Sequence, residues 1–297
     1  MTYEIYHETS FEYSNIVTFS HNLARLKPTN SSIQKLIKYN LEISPKAYET
    51  NEFVDLFENT NNYILLREPH KKLTLKAISE VSLDTNMIQK KINSYLNSQI
   101  TISGLKERFK SSNPNDISAK LYLFPTSLIP YASYEIMLYT LESFHPSRSL
   151  FSSIHEFMGR IFEDFKFVSG FSDVTTPIDT IFREKKGVCQ DFAQFAIAAL
   201  RTIGIPTRYM SGYIRTIPAE GSEKLFGTDA SHAWFSAYIP DTGWVDFDPT
   251  NNKIPDQDYI LLGYGRDYHD IAPLKGVVQS SGKSKLDVKV NVQCLSE

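Results

Sequence analysis

A single amphipathic helix with a cysteine at its start constrains this chain more than any other feature. Residues 187–206 read GVCQDFAQFAIAALRTIGIP. The apolar side chains that follow Cys189 recur at the spacing of one helical face: Phe192, Phe195, Ala196, Ala199, Leu200 and Ile203. Gly204 and Pro206 end the helix, because neither residue favours helical backbone. The pattern predicts a helix packed on a core, with Cys189 in its first turn.

The composition of the whole chain is that of a globular protein. It has 297 residues, 41% of them hydrophobic, which is enough for a packed core without a disulfide framework or a structural metal. Its 31 basic and 34 acidic residues are spread along the chain. This distribution argues against nucleic acid as a partner and contains no polybasic segment for a membrane surface. No apolar run approaches the ~20 residues that a membrane-spanning helix needs.

The two cysteines, Cys189 and Cys294, are too few for a disulfide framework. A disulfide between them would require the fold to bring them together, which the sequence leaves open. The first residues, MTYEIYHETSFEYSN, contain neither the basic nor the apolar segment of a secretory signal. We therefore expect a cytoplasmic protein.

The first 83 residues have the periodicity of β-strands. Residues 3–14 alternate with period two, which places Tyr3, Ile5 and His7 on one face. Residues 53–83 predict three strands, with turns at ENTNN and EPHKK between them. The region is therefore predicted to be rich in β-structure.

The second half of the chain reads as helices followed by strands. An apolar stripe at 149–167 predicts one helix in addition to the cysteine helix. Four later segments alternate like strands: 207–217, 232–240, 243–249 and 286–295. The polar stretches SSNPND (111–116) and PAEGSEKLFGTDAS (218–231) predict loops. We predict an α+β fold with a β-rich N-terminal region and connector at 1–140 and a second domain at 141–297.

Three residues could form a nucleophilic site. Cysteines at helix N-termini are activated because the helix dipole and free N–H groups favour the thiolate, so Cys189 is a candidate nucleophile. Gly187 upstream suits a tight turn, and the Cys189 N–H is a candidate oxyanion donor. His232 opens a predicted strand, and Asp248 ends the next one. A hairpin centred on position 240 places them at the same end of adjacent strands, in the Cys, His, Asp order of papain-like enzymes.

Three blocks of the sequence strengthen this interpretation: GVCQDFAQFAIAALRTIGIPTRYMSGYI, DASHAWFSAYIPDTGWVDFDPTNN and GRDYHDIAP. Together they resemble the bacterial transglutaminase-like proteins, often described as cysteine proteases, and residues 1–83 resemble that family's N-terminal region. The resemblance implies a papain-like transglutaminase core, an α+β fold with the nucleophile helix packed on an antiparallel sheet. It also implies Cys189 as nucleophile, His232 as base and Asp248 as the residue that orients the histidine. No cofactor or metal is expected.

The resemblance leaves the reaction open. Hydrolysis of a peptide or protein amide through a thioester is our first hypothesis, and glutamine acyl transfer to an amine is the second. A third is a peptide-binding or protein-binding module that retains the triad as a scaffold. We expect Gln190, Asp191 and Trp234 to support the site or bind substrate. The partner protein and the oligomeric state are not predicted.

Overall fold

The computed structural model describes residues 1–110, 113–216 and 230–296. In chain order, the strands are β1 (Thr2–Val17), β2 (Phe19–Ala24), β3 (Gln34–Ser44), β4 (Glu49–Val54), β5 (Thr60–Leu66), β6 (His70–Leu83), β7 (Lys166–Phe167), β8 (Lys186–Gly187), β9 (Thr207–Ile214), β10 (Ala230–Ile239), β11 (Gly243–Phe247), β12 (Tyr259–Gly265), β13 (Leu274–Gln279) and β14 (Ser284–Ser296). The helices are α1 (Thr85–Leu96), α2 (Ile102–Arg108), α3 (Pro114–Ala119), α4 (Tyr134–Leu141), α5 (Leu150–Asp164), α6 (Ile178–Glu184), α7 (Cys189–Thr202) and α8 (Tyr268–Ile271). None of these helices combines the length and the apolar composition that a membrane-spanning segment needs.

The N-terminal region consists of two four-stranded sheets, ordered β14-β1-β6-β3 and β13-β2-β5-β4. The predicted alternation in β1 is confirmed, since Tyr3, Ile5 and His7 are all buried. Strand β1 pairs with β6 in antiparallel orientation, from Thr2 opposite Ser82 to Glu12 opposite Lys72. The apolar side chains from both sheets form a common core that includes Val17, Ile64 and Leu75. The predicted β-rich region is therefore present.

The end of the chain returns to these N-terminal sheets. Strand β14 pairs along nearly the whole of β1, from Thr2 opposite Ser296 to Tyr13 opposite Ser284, and β13 pairs with β2. The sequence pattern had grouped the strand at 286–295 with the second half of the chain. Periodicity predicted the strand correctly but carried no information about its partner. The division at residue 140 stays a prediction, with residues 274–296 hydrogen-bonded to the first region.

Short helices connect the two regions. The SSNPND segment was predicted to be a loop, but part of it begins α3. Asn113 caps the helix by accepting hydrogen bonds from the backbone N–H groups of Asn115 and Asp116, and Pro114 occupies the first turn, where it has no N–H to leave unpaired. Residues 111 and 112 lie outside the described residues.

The second region packs α5 and α7 on an antiparallel sheet ordered β11-β10-β9-β12. We call it the core sheet. Its face toward α7 carries Tyr209, Ala233, Phe235 and Phe247. The apolar stripe of α7 is buried as predicted except for Ile203, the partly buried C-cap residue, and that of α5 is largely buried, with Phe162 47% exposed as an exception. The α+β class is therefore confirmed.

The β10–β11 hairpin forms, but in a different register from the predicted one. Phe235 pairs with Phe247 and Ile239 pairs with Gly243, so paired positions sum to 482 rather than 480. Asp241 in the turn and Gly243 at the start of β11 have positive φ, 64° and 90°. Most of the polar stretch predicted before β10 falls at residues 217–229, outside the described residues.

Two amide side chains of the N-terminal region hold the outer edge of β12. Gln34 donates to the carbonyl of Leu261 at 2.7 Å and accepts from its N–H at 2.8 Å. Asn59 does the same with Tyr264, at 2.7 and 3.0 Å. These hydrogen bonds pair backbone groups on the outer edge of β12 that would otherwise need another strand as a partner. The N-terminal region therefore supports the core sheet directly.

Candidate active site

The cysteine helix begins where the sequence predicted. Val188 is the N-cap residue, with extended backbone angles, and Cys189 is the first helical residue. Its thiol is free and only partly buried. The thiol therefore lies at the N-terminus of a 14-residue helix, where the aligned peptide dipoles favour negative charge.

Asp191 supports the start of this helix. Its Oδ2 accepts the backbone N–H of Val188 at 2.7 Å and also accepts a hydrogen bond from the Ser172 hydroxyl. Asp191 is only 2% exposed, and this burial raises its pKa against the opposing effect of the two hydrogen bonds. Asp191 therefore caps the start of α7.

Gly187 is needed for this cap rather than for a turn. A Cβ atom at Gly187 would lie 2.8 Å from both Cβ and Oδ2 of Asp191, closer than side-chain atoms pack. Its φ is not in the left-handed region. The tight packing around the Gly187 backbone is made by the Asp191 side chain.

His232 lies between Cys189 and Asp248. Its Nε2 is 2.8 Å from Oδ2 of Asp248, and Cys189 lies close enough to the ring to raise its pKa. Since Nε2 is occupied by Asp248, Nδ1 is the nitrogen left for Cys189. Burial alone would favour the neutral ring, but the hydrogen bonds and charges of Asp248 and Cys189 outweigh it and raise the pKa of His232 to about 10. The arrangement favours an imidazolium next to the thiol.

The carboxylate of Asp248 is fully buried, and each of its hydrogen-bond partners donates to it. Oδ2 accepts hydrogen bonds from His232, from Asn251 Nδ2 at 2.7 Å and from the Tyr259 hydroxyl at 2.7 Å. Oδ1 accepts the backbone N–H of Thr250 at 2.9 Å. Burial works against the carboxylate, yet these donors lower the pKa of Asp248 below its usual value. An ionised carboxylate therefore faces His232.

Two of these partners were not predicted as site residues. Asn251 lies three residues after Asp248, and this spacing allows its side chain to return to that carboxylate. Tyr259 comes from β12, and no local pattern relates it to Asp248. It could be found only by knowing that β12 lies beside β9.

The expected supporting residues occupy different places. Trp234 is 1% exposed and lies behind His232, with ring centroids 6.2 Å apart, and edge-on to Tyr259 at 5.6 Å. It therefore belongs to the packing around the histidine. Gln190 follows Cys189 in the first helical turn, is partly exposed and makes no side-chain hydrogen bond within the described chain.

Tyr209 lies on the face of the core sheet that packs against α7. It is 2% exposed on β9, edge-on to the ring of Tyr268. Burial, together with the nearby negative charges of Cys189 and Asp191, raises its pKa far above the usual range. Tyr209 is therefore a neutral hydroxyl next to the nucleophile helix.

Among the residues that the structure describes, no group of three or more His, Cys, Asp or Glu side chains is placed so that it could hold a metal ion. The site brings together a thiol, an imidazole and a carboxylate. This set can deliver a nucleophile and move a proton, the chemistry of acyl transfer.

Comparison with known proteins identifies the family. Residues 3–82 match the model of the bacterial transglutaminase-like N-terminal region, and residues 144–249 match that of the transglutaminase-like superfamily. An uncharacterized protein of Mycobacterium bovis is 32% identical over 98% of this chain and 92% of its own length. The chain belongs to the transglutaminase-like superfamily. A relative in Mycobacterium leprae is 28% identical over 98% of both chains.

Two further similarities concern fold and activity class. The crystal structure of a candidate cysteine protease from Cytophaga hutchinsonii has a TM-score of 0.77 and 19% identity, covering 100% of this chain and 91% of that chain. At this identity the likeness shows the fold alone. Together with the two family matches it confirms the predicted fold class, a transglutaminase-like core with a β-rich N-terminal region. A protein-glutamine gamma-glutamyltransferase of Pseudomonas aeruginosa is 31% identical over 80 residues, 27% of this chain and 12% of its own.

Proposed function

We propose that this transglutaminase-like protein is a thiol-dependent hydrolase of amide or peptide bonds. One observation carries the proposal: Nε2 of His232 is held by Asp248, which leaves Nδ1 for Cys189. A base oriented on one side and bonded to a nucleophile on the other is the geometry of nucleophilic catalysis. The likeness to the Cytophaga hutchinsonii protein agrees with hydrolysis.

In the first half of the proposed reaction, the Cys189 thiolate attacks the carbonyl carbon of the substrate. The new C–S bond converts the carbonyl into a tetrahedral oxyanion, which accepts a hydrogen bond from the Cys189 backbone N–H. His232, as imidazolium held by Asp248, donates its proton to the leaving nitrogen. The C–N bond breaks, an amine departs and a thioester remains on Cys189.

In the second half, water attacks the thioester carbonyl while neutral His232 takes one of its protons. The C–S bond breaks, the acid leaves, and the proton on His232 restores the thiolate–imidazolium pair. If a primary amine attacks instead of water, the same steps form a new amide. The local similarity to a gamma-glutamyltransferase makes this acyl transfer the second candidate.

The two reactions are distinguished by their products. The full chain would be incubated with a library of glutamine-containing peptides and a labelled primary amine, and the products analysed by mass spectrometry. Hydrolysis of a peptide bond adds water and divides the peptide, hydrolysis of a glutamine side chain replaces ammonia with water, and transfer replaces ammonia with the labelled amine. Both activities should vanish in Cys189→Ala and His232→Ala. The absence of either product, with folded protein and a broad peptide library, would contradict the proposal.

We also propose the cytoplasm as the compartment, because both cysteines are unpaired. Thiol labelling after cell fractionation tests this: the protein should appear in the cytoplasmic fraction with both thiols reactive after unfolding. Recovery in a secreted or periplasmic fraction would contradict it.

A further inference from the structure

A cavity of about 390 Å³ lies at the junction of the two regions. It is enclosed by α1, the start of β3 and the face of the core sheet that points away from α7. Neither Cys189 nor His232 lines it. The volume is within the range of small-molecule sites, which begins at roughly 300 Å³. The cavity therefore has room for a ligand other than the substrate at the thiol.

The two ends of the cavity differ in character. One end, which includes α1, is mostly apolar through Ile33, Leu83, Ile88, Ile92 and Leu261, and Lys91 and Ser94 of α1 also line the cavity. The other end is formed by the core sheet, where Arg208, Ser236 and Asp246 are direct neighbours across three strands. Arg208 and Asp246 line the cavity. A ligand that fits both ends has an apolar body and one polar group.

Polar groups at this end lack hydrogen-bond partners. In the described part of the chain, Arg208 Nε, Trp234 Nε1 and Ser236 Oγ are buried and unpaired. Trp234 is 1% exposed, lines the cavity, and is the diagonal neighbour of Arg208 across the β9–β10 pair. Buried donors without acceptors are unfavourable, so a ligand oxygen that accepts from them would be stabilised.

The charges of the walls favour a neutral ligand group. Arg208 is separated from the carboxylate of Asp246 by one strand, and its guanidinium is stacked on the rings of Trp244 at 4.4 Å and Tyr264 at 3.9 Å. The second carboxylate of the lining, Asp256, pairs with Lys253 at 2.8 Å. Because the opposite charges of Arg208 and Asp246 lie one strand apart, an anionic group at this end is repelled by Asp246 and a cationic group by Arg208. A neutral group that both accepts and donates hydrogen bonds is therefore favoured.

We propose that this cavity binds a small neutral carboxamide with an apolar body. The ligand's oxygen accepts hydrogen bonds from Arg208 and Trp234, its N–H donates to Asp246, and its apolar part lies against Ile88 and Ile92. Two residues line the cavity and also contact the candidate active site. Trp234 packs on His232, and Tyr259 donates a hydrogen bond to Asp248. The cavity is thus separate from the thiol but adjacent to the residues that hold its base.

Intrinsic tryptophan fluorescence can report binding at this site. It contains two tryptophans, Trp234 and Trp244, and both line the cavity. The full chain would be titrated with 4-phenylbutanamide while tryptophan fluorescence is measured, with 4-phenylbutanoate and 4-phenylbutylamine as matched probes of the charged group. We expect a saturable change with the amide and at least about tenfold weaker binding of the acid and the amine. No saturable change with the amide, or equal binding of either charged probe, would overturn the proposal.

Variants locate the probe. Arg208→Met should weaken amide binding about tenfold, whereas Arg67→Met, which removes an arginine stacked on Tyr48 at 4.2 Å, should leave it unchanged. Ile92→Phe narrows the apolar end without touching the polar groups and should also abolish binding, so the test does not depend on Arg208→Met folding. Unchanged binding in folded Ile92→Phe would place the probe elsewhere and overturn the proposal.

Cys189→Ala separates this site from the proposed hydrolase. Fluorescence reports binding without turnover, so amide binding should persist in Cys189→Ala with an unchanged dissociation constant. Loss of binding in that variant would mean that the probe occupies the thiol site, and would overturn the inference while leaving the proposed hydrolase intact.

Discussion

The hydroxyl of Tyr259 donates to Oδ2 of Asp248 at 2.7 Å, the same oxygen that lies 2.8 Å from Nε2 of His232. Tyr259 belongs to β12, whose outer edge is held two residues later by Gln34 of the N-terminal region. The residue that orients the histidine is therefore connected to the N-terminal region through a single strand. This explains why a β-rich region and a core sheet form one hydrogen-bonded structure.

Removal of the Tyr259 hydroxyl should destabilise the protein more than removal of an ordinary tyrosine hydroxyl. Hydrogen bonds to a buried charged group contribute about 1.5–3 kcal/mol, so Tyr259→Phe should lower the free energy of unfolding by that amount at pH 7. Tyr63→Phe is the control, since it loses a 2.7 Å hydrogen bond to His21 outside the site. Urea denaturation measures both. Equal losses for the two variants would contradict a charged Asp248.

Cys189 should react with iodoacetamide well below pH 8, and His232→Ala should slow the reaction. With the pKa of His232 raised to about 10, the imidazolium persists through neutral pH and favours the thiolate next to it. An ordinary thiol is mostly protonated at pH 6, so we expect the variant to react roughly 10- to 100-fold more slowly there. Peptide mass spectrometry follows Cys189 and, as an internal control, Cys294. Identical rates for both cysteines, unchanged in the variant, would show that the pair is not formed.

Gly187→Ala should destabilise the start of the nucleophile helix. The new methyl group would lie 2.8 Å from Asp191, and overpacking of this kind costs about 1–3 kcal/mol. Gly104→Ala is the matched control, because its nearest contacts are at 3.6 Å and alanine is the better helix former. The urea midpoint should fall for the first variant and stay or rise for the second. A fall of similar size in both variants would contradict the conclusion that Gly187 is closely packed against Asp191.

His7 should make the protein sensitive to mild acid. It is buried between Tyr213 Oη at 3.0 Å and Thr9 Oγ1 at 2.9 Å, and burial lowers its pKa from about 6.5 to about 4. Below pH 6.5 the unfolded chain binds a proton that the folded chain does not, so stability falls between about pH 6.5 and pH 4 by about 3 kcal/mol.

The measurement is the free energy of unfolding as a function of pH in wild type, His7→Gln and His269→Gln. His7→Gln should have a flatter profile across this window, whereas replacement of the exposed His269 should leave the profile unchanged. A His7→Gln profile as steep as that of the wild type would show that another group causes the loss.

Local sequence patterns were sufficient to predict the helix that begins at Cys189 and to predict that His232 and Asp248 lie near each other. The apolar stripe after Cys189 and the Gly and Pro that follow it describe a helix and both of its ends. The alternation on either side of the turn at residue 240 describes a hairpin. Because a hairpin brings its two free ends together, we expected His232 and Asp248 to lie side by side. The observed pairing register is shifted from the predicted one, but the shift is small enough to leave the two residues adjacent.

The sequence by itself determined which residue types meet at this site: a thiol at a helix start, and an imidazole and a carboxylate at one end of a hairpin. Tertiary structure alone decided what surrounds them. Tyr259 on Asp248, Asp191 against Gly187, Gln34 on β12 and β14 beside β1 all depend on contacts between elements. Periodicity reports which face of an element is buried, but the identity of the opposing surface depends on how the whole chain packs.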